Sequence, residues 1–302
     1  MRAISRVLLA AVVLTWPGAL SAQQIDWQRV DDAIAKPGEA QGDVRRYELP
    51  RTDLNVTIDG VTLKPSLALA GWVAFKPVQE GAWVTGELVL TETEVGPVMT
   101  KLLDAGFEIG TLHNRLLRGS PGTFFVSISG RGNAISLADA IHAALIWSST
   151  RLATSVVAST TGSAPGPAPV TLDTGQLDQT LGAQGRSVEG VYRFTIPTAE
   201  PIMQKGAPLP PEMGAVHTIN FQPALSGKAA VAGTLLVTGE DALNPVLRSL
   251  RDNDIEVTSI HNFFTLHEQP RTLAVHFWAN NDAARVAKGL RAALDKIGVA
   301  KK

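Results

Sequence analysis

Apolar and polar positions along this chain change period in a fixed order, and the order occurs twice. In the first run, residues 25–35 carry apolar positions at helical spacing, and a stretch rich in Pro and turn residues follows. Trp72–Phe75 and Trp83–Leu90 are then dense in β-branched and aromatic residues, as paired strands are. Val98, Met99, Leu102 and Leu103 fall on one helical face. Phe107–His113 and Thr123–Ser129 read as two further strands, and a helix closes the run. The second run has a helix over 172–181, strands His217–Phe221 and Ala229–Val237, and a helix with Leu243, Val246, Leu247 and Leu250 on one face. Strands Ile255–His261 and Thr272–Trp278 follow, then a helix with Val286, Leu290, Ala293, Leu294 and Ile297 in a buried stripe. Asn244 before Pro245 predicts an N-cap and first helical position, Ser136 with Asp139 a capping box, and Asn280-Asn281-Asp282 another cap.

The two runs match in residues as well as in period. Val30-Asp31…Gly38 is echoed by Leu177-Asp178…Gly185, Tyr47-Glu-Leu-Pro50 by Phe194-Thr-Ile-Pro197, and Phe75-Lys-Pro77 by Phe221-Gln-Pro223. Leu112-His113-Asn114 is echoed by Ile260-His261-Asn262 at a nearly constant offset. The period is far longer than the ~20–50 residues of a solenoid unit, so a whole domain is duplicated. Ser159-Thr-Thr-Gly-Ser-Ala-Pro-Gly-Pro-Ala-Pro169 separates the copies and has a linker's composition. The expected organisation is 1–22 leader, 23–150 first repeat, 151–170 linker and 171–302 second repeat. A β-α-β-β-α order with an extra strand on its N-terminal side predicts an α+β fold. Each copy is expected to be a ferredoxin-like, split-βαβ sheet covered by helices, and the two copies a pseudo-twofold pair.

The N-terminus and composition narrow the context. Met1-Arg2-Ala-Ile-Ser-Arg6, an apolar run from Val7 to Trp16, and Ala19-Leu-Ser-Ala22 before Gln23 predict a secretory signal peptide cut after Ala22. The apolar run is about half the ~20 residues a membrane-spanning helix needs. The expected location is periplasmic or secreted. The chain has no cysteine, which excludes disulfides, a thiolate zinc site, a thiol nucleophile and a lipid-bearing cysteine. Its net charge is −1 with no basic face, which argues against nucleic acid as a partner.

Candidate chemistry collects around three of the six histidines. A symmetric hairpin with its turn between His267 and Glu268 would set His261 opposite His276, where cross-strand Cβ atoms lie ~4.5–5.5 Å apart. Two imidazoles so placed, with His217 as a third, make a candidate site for a divalent transition metal such as zinc, copper or nickel. His113, Asn114, Asn262, His267, Glu268 and Trp278 are the candidate ligand-binding residues around it. The plainer reading makes Asn262 a turn former and His276 a half-buried histidine bonded to backbone. No His-Glu-x-x-His pair, P-loop or Gly-x-Ser-x-Gly elbow occurs, and Gly130-Arg-Gly132 lacks the third glycine of a dinucleotide loop.

At Leu112-His113-Asn114, Ile260-His261-Asn262, His276-Phe-Trp278, Asn244-Pro245-Val246 and Val216–Phe221, the chain resembles the mycobacterial LppY/LpqO lipoprotein family. The resemblance covers residues 25–297 and implies export and a duplicated domain, with no activity attached. The family pattern reads His-Asn-His with further histidines on the next strand. Those places here hold Arg115, Phe263, Ser127 and Arg131, and the lipoprotein cysteine is absent. The leading expectation is therefore an exported binding or accessory module with a histidine site in its second repeat. The alternatives are a metal-assisted hydrolase using His217, His261 and His276, with Glu268 moving the proton, and a structural protein that binds a partner.

Overall fold

The computed structural model describes residues 25–152, 171–264 and 270–299. The leader call on 1–22 and nearly all of the linker lie outside the described residues.

The first repeat runs α1 (Trp27–Ile34), β1 (Glu39–Gln41), β2 (Val44–Pro50), β3 (Thr57–Ile58), β4 (Val61–Thr62), α2 (Pro65–Ala68), β5 (Ala70–Val78), β6 (Gly81–Thr91), α3 (Glu92–Asp104), β7 (Glu108–His113), β8 (Thr123–Gly132) and α4 (Ala134–Leu145). The second runs α5 (Thr174–Leu181), β9 (Arg186–Val188), β10 (Val191–Pro197), β11 (Met203–Gln204), β12 (Ala207–Pro208), β13 (Val216–Pro223), β14 (Lys228–Thr238), α6 (Glu240–Asp252), β15 (Glu256–Asn262), β16 (Thr272–Asp282) and α7 (Ala283–Leu294). A 3-10 turn at Pro211–Met213 stands where the first copy has α2. Each repeat forms a six-stranded antiparallel sheet, ordered β1-β2-β5-β6-β8-β7 and β9-β10-β13-β14-β16-β15. The α+β class and the duplication are thus present in the fold.

Alternation along the strands assigns the two faces of each sheet. Val84, Leu88 and Leu90 of β6 point into the helix-covered core with Val30, Ile34, Val98, Leu102 and Ile141. Trp83, Thr85, Glu87 and Val89 occupy the opposite face. The second copy does the same, with Val231, Leu235 and Val237 packed beneath Val246, Leu250, Val286 and Leu290. The two remaining faces close on one another across the repeats, and a crossing arm completes each seam. Residues 51–69 of the first repeat put Val56, Ile58, Leu63 and Leu67 against Val191, Ala230 and Trp278 of the second. Residues 198–215 of the second put Ile202, Leu209 and Met213 against Val44, Ala74 and Trp83 of the first. Strands such as β6 are therefore buried on both sides, which is why they read as nearly continuous apolar runs.

Polar hubs explain several of the sequence echoes. The Asp31 carboxylate accepts the Gly38 amide at 3.1 Å and the Tyr47 hydroxyl at 2.7 Å. Asp178 accepts the Gly185 amide at 3.0 Å and the Tyr192 hydroxyl at 2.8 Å. Each hub ties the first helix to the outer strands. A second device, in the first copy, is Arg51, 1% exposed, at the root of the crossing arm. Its guanidinium donates to Val89 O at 2.6 Å, to Glu94 Oε2 at 2.8 Å and to Asp53 Oδ2 at 2.8 Å. Glu94 also accepts the Thr91 and Ser149 amides, which joins the N-cap of α3 to the end of the repeat. Burial pushes the Glu94 carboxyl up, but those two amides and Arg51 outweigh it and hold it below the usual range.

Four expectations need correction. Asn244-Pro245 lies inside α6, not at its start. In α3 the Thr91–Glu94 capping box sets the start, and Pro97 lies beyond the first turn, where it removes one i→i−4 hydrogen bond. The N-cap of α4 is Asn133, which accepts the Ile135 and Ser136 amides, instead of Ser136. The stretches 44–50 and 191–197, read as turn-rich chain, are strands β2 and β10, with Val44, Tyr47 and Leu49 buried. The last hairpin is offset from the symmetric pairing: a bulge between Val257 and Ser259 puts Ser259 opposite His276 and Ala274 opposite His261.

Arg51→Ala strands Glu94 in a buried position without its partner. A loss of roughly 3–5 kcal/mol is expected, read as a lower urea midpoint at unchanged m-value. A loss under about 1 kcal/mol would show that the hub carries no more than a surface pair.

Candidate functional site

Both repeats build the site at the end where their edge strands β7 and β15 meet. His113 is the last residue of β7, His261 lies on β15 and His276 on β16. The bulge in β15 leaves His261 diagonal to His276 on one face, since His261 is two residues beyond the Ser259 that pairs with His276. Their Nε2 atoms are 2.8 Å apart. The His113 ring lies across them, with centroids 3.9 Å from His261 and 5.2 Å from His276. One ring nitrogen from each of the three falls within 4.8 Å of the other two.

The surroundings orient two of the three rings. His261 Nδ1 lies 2.9 Å from its neighbour's carbonyl, Asn262 O, and His276 Nδ1 lies 2.9 Å from Thr234 Oγ1. Each ring is thereby held by one nitrogen and presents Nε2 to the cluster, as metal-bound histidines are held. Both ring nitrogens of His113 are buried without a hydrogen-bond partner among the described residues. Burial, with the nearby His261 and Arg115 charges, pushes the His113 pKa down to about 2. Burial also lowers His261 and, together with Arg115, holds His276 well below the usual imidazole range. All three are neutral imidazoles near neutral pH, the form that offers a lone pair to a metal.

An arginine stands over the cluster. Arg115 packs its guanidinium on the Phe125 ring at 3.6 Å, forms an ion pair with Glu87 and reaches His276 Nδ1 at 3.5 Å. From the cluster a cavity of about 420 Å³ runs between the two sheets, within the ~300–1,000 Å³ of small-molecule sites. Two rows face each other across it. In the first sheet, Glu48, Trp72, Glu87 and Ser127 are successive register partners. In the second, Thr195, Thr218, Thr234 and His276 are.

The sequence-derived candidates are distributed as follows. His113, His261 and His276 converge. His217 does not join them: it points to the helix side of the second sheet, 1% exposed, with Nδ1 accepting the Leu236 amide at 3.0 Å. Its neighbours Thr218 and Asn220 take the cavity side by alternation. The set His217, His261, His276 is therefore replaced by one that crosses between the repeats. Asn114 accepts the Leu116 amide and shapes a turn, and Asn262 contributes its carbonyl. Trp278 is part of the seam beneath the first repeat's arm, donating to Asp59 Oδ2 at 3.0 Å. His267 and Glu268 lie outside the described residues.

Glu87, Arg46 and Arg193 were not singled out from the sequence, and Arg115 stood out only as the replacement of a family histidine. A lone carboxylate at an inward position of the apolar strand Trp83–Leu90 was the available sign for Glu87. For the arginines, it was the equivalent places of Arg46 and Arg193 in the two copies.

The family described as Domain of Unknown Function (DUF1259) matches residues 28–146 and again 175–296. This chain belongs to that family. The two DUF1259 matches coincide with the two sheets and their helices, so the chain carries the domain twice. No curated protein matches it. Among solved structures, a trimeric bacterial microcompartment shell protein, PduB, is 14% identical, covering 87% of this chain and 91% of its own at a TM-score of 0.22. EtuB from Clostridium kluyveri is 11% identical, covering 86% and 88%, at a TM-score of 0.21. Neither superimposes on this DUF1259 chain as a whole. Among the described residues no helix is long and apolar enough to cross a membrane.

Protonation of the second, buried histidine gives a pH test. Burial lowers the His217 pKa to about 4, and its Nδ1 is occupied as an acceptor. Above pH ~6.5 neither state holds the proton and stability is full. As pH falls from there towards 4, only the unfolded chain gains it, so stability falls by up to about 1.4 kcal/mol per pH unit. Urea midpoints measured from pH 7.5 to 4 should fall more steeply for the wild type than for His217→Gln. Parallel curves would rule this origin out.

Proposed function

We propose that the chain binds a divalent transition-metal ion at His113, His261 and His276 and uses it to hold a small molecule in the cavity between the repeats. The observation that carries this is His113, whose two buried ring nitrogens have no partner among the described residues while they face two imidazoles. An unsatisfied buried polar side chain is costly, and an ion would satisfy it. Zinc, copper and nickel all suit imidazole donors. The Asn262 carbonyl and Thr234 hydroxyl supply the outer shell such a site needs.

A second reading, metal-assisted hydrolysis, is favoured by the carboxylate of Glu87 on the cavity wall. Three protein ligands would leave a position for water, whose proton such an ion makes easier to lose. Glu87 would take that proton on parting from Arg115.

The wider reading rests on sequence. We take residues 1–22 as a cleaved leader and the protein as exported, periplasmic or secreted, akin to the LppY/LpqO lipoproteins but without their lipid-bearing cysteine. We read strands β5, β6, β8 and β7 as a ferredoxin-like core in which β5 fills the outer place.

Protein purified without an affinity tag and assayed by elemental mass spectrometry should retain close to one metal ion per chain. His113→Ala, His261→Ala and His276→Ala should each weaken binding by at least about 100-fold in competition with a chromophoric chelator, and His142→Ala should not. If the wild type takes up no zinc, copper or nickel, or holds it equally well in the three variants, the metal centre is wrong.

A further inference from the structure

The duplication lets the two walls of the cavity be compared residue by residue, and the comparison isolates one charge. Arg46 and Arg193 hold equivalent places on β2 and β10. Both catch a backbone carbonyl of the other repeat's arm: Arg46 Nη1 donates to Glu212 O at 2.8 Å, and Arg193 Nη2 to Ser66 O at 2.9 Å. In the first copy the charge is then balanced, since Arg46 Nε donates to Glu48 Oε1 at 2.8 Å. In the second copy the place of Glu48 is taken by Thr195, and the place of Glu87 by Thr234. Arg193 Nε meets only the neutral Asn220 Oδ1, at 3.3 Å.

Arg193 thus lines the cavity with no carboxylate in ion-pair reach among the described residues, and its Nη1 has no partner there. A guanidinium does not neutralise in proteins, so a half-buried one without an ion-pair partner is costly until an anion meets it. Burial weighs against its charged form more than Glu48, already paired with Arg46, and Glu189 support it from beyond ion-pair distance. Of the other charged residues on the wall, Arg115 is matched by Glu87, while Arg186 adds positive charge and Glu212 negative.

The place of Arg193 relative to the histidines sets the shape of the ligand. Thr195, Thr218, Thr234 and His276 lie side by side on four neighbouring strands. At ~4.8 Å per strand, roughly 14 Å separates the ends of this row. Arg193 is two residues along β10 from Thr195. The reach of both side chains leaves a gap on the order of 10 Å, floored by threonine hydroxyls and faced by Trp72.

We infer that the cavity takes an elongated small molecule with a terminal carboxylate, which Arg193 captures through its free edge while the other end lies at the histidine cluster. The far-end contact rests on the metal reading above; the carboxylate contact does not. One guanidinium edge matches one carboxylate in charge and fork geometry. The ligand is then an acid with a chain of about six to eight atoms between its ends, on the order of 10 Å long. The three threonines suit hydroxyls or amides along that chain.

Suberate is the test probe, titrated by calorimetry into chelator-treated full-length protein. It should bind the wild type and His113→Ala alike, and at least 10-fold more weakly to Arg193→Gln, whose amide keeps a donor for Ser66 O. The diamide of suberate should lose the same factor on the wild type. Equal binding of suberate to wild type and Arg193→Gln, or no binding to the wild type at millimolar concentration, would overturn the inference. On zinc-loaded protein, the monohydroxamate of suberate should gain a further factor of 10 or more that His113→Ala abolishes. Loss of that gain alone, with suberate still dependent on Arg193, would remove the metal reading and leave the carboxylate site standing.

Discussion

A sheet with helices on one side has a second face that must be covered, and here only the other repeat can cover it. This constraint organises the molecule. The helix-side cores, around Val84 and Leu88 in one copy and Val231 and Leu235 in the other, are ordinary two-layer packing. The inward faces are not apolar enough to close completely on each other. They carry Glu48, Glu87 and Ser127 on one wall and Thr195, Thr218, Thr234 and His276 on the other. The crossing arms seal the sides with Val56, Ile58 and Leu67, and with Ile202, Leu209 and Met213. The space that stays open between the seams is the cavity. Its polar lining follows from the positions where alternation puts a hydrogen-bonding residue in place of an apolar one.

Much of this was legible in the sequence, for identifiable reasons. The duplication was visible because its landmarks are structural: Asp31 and Asp178 each tie an amide and a tyrosine, and their spacing to Gly38 and Gly185 cannot drift. The nearness of His261 and His276 was visible because strands on either side of one turn must pair. Their register was not, since a bulge of one residue at Val257–Ser259 leaves no mark in composition. His217 drew notice as a histidine beside a strand, yet alternation alone could not say which face was helix-covered. Tertiary contacts decide that, and they send its side chain to the core. Nothing local in the sequence tells that His113 crosses to the second repeat's pair, because the contact depends on how two sheets dock.

The cluster and the arginines also constrain each other. Three neutral imidazoles in a desolvated corner tolerate a nearby cation poorly, and Arg115 lies against them. The Glu87 ion pair and the Phe125 face offset that charge. Arg193 lies at the far end of the row, two strands or more from His276, where its field acts on the cavity more than on the cluster. Positive charge is thus paired beside the histidines and left without an ion-pair partner among the described residues at the other end of the row.

His113 and His261 occupy equivalent positions, with ring centroids 3.9 Å apart, as the two copies of one residue meet beside the two-fold axis of a dimer. In a dimer of two identical chains, every residue near such an axis appears twice, and a substitution on one wall is forced on the other. Ser127 opposite the place of His276, Glu48 opposite that of Thr195 and Arg115 opposite that of Phe263 are combinations that two identical chains cannot make. Joining the copies in one polypeptide removes that restriction: each half drifts separately while the seam is kept. The broken symmetry at the axis is what gives the cavity two different ends, and hence a direction in which a ligand can lie.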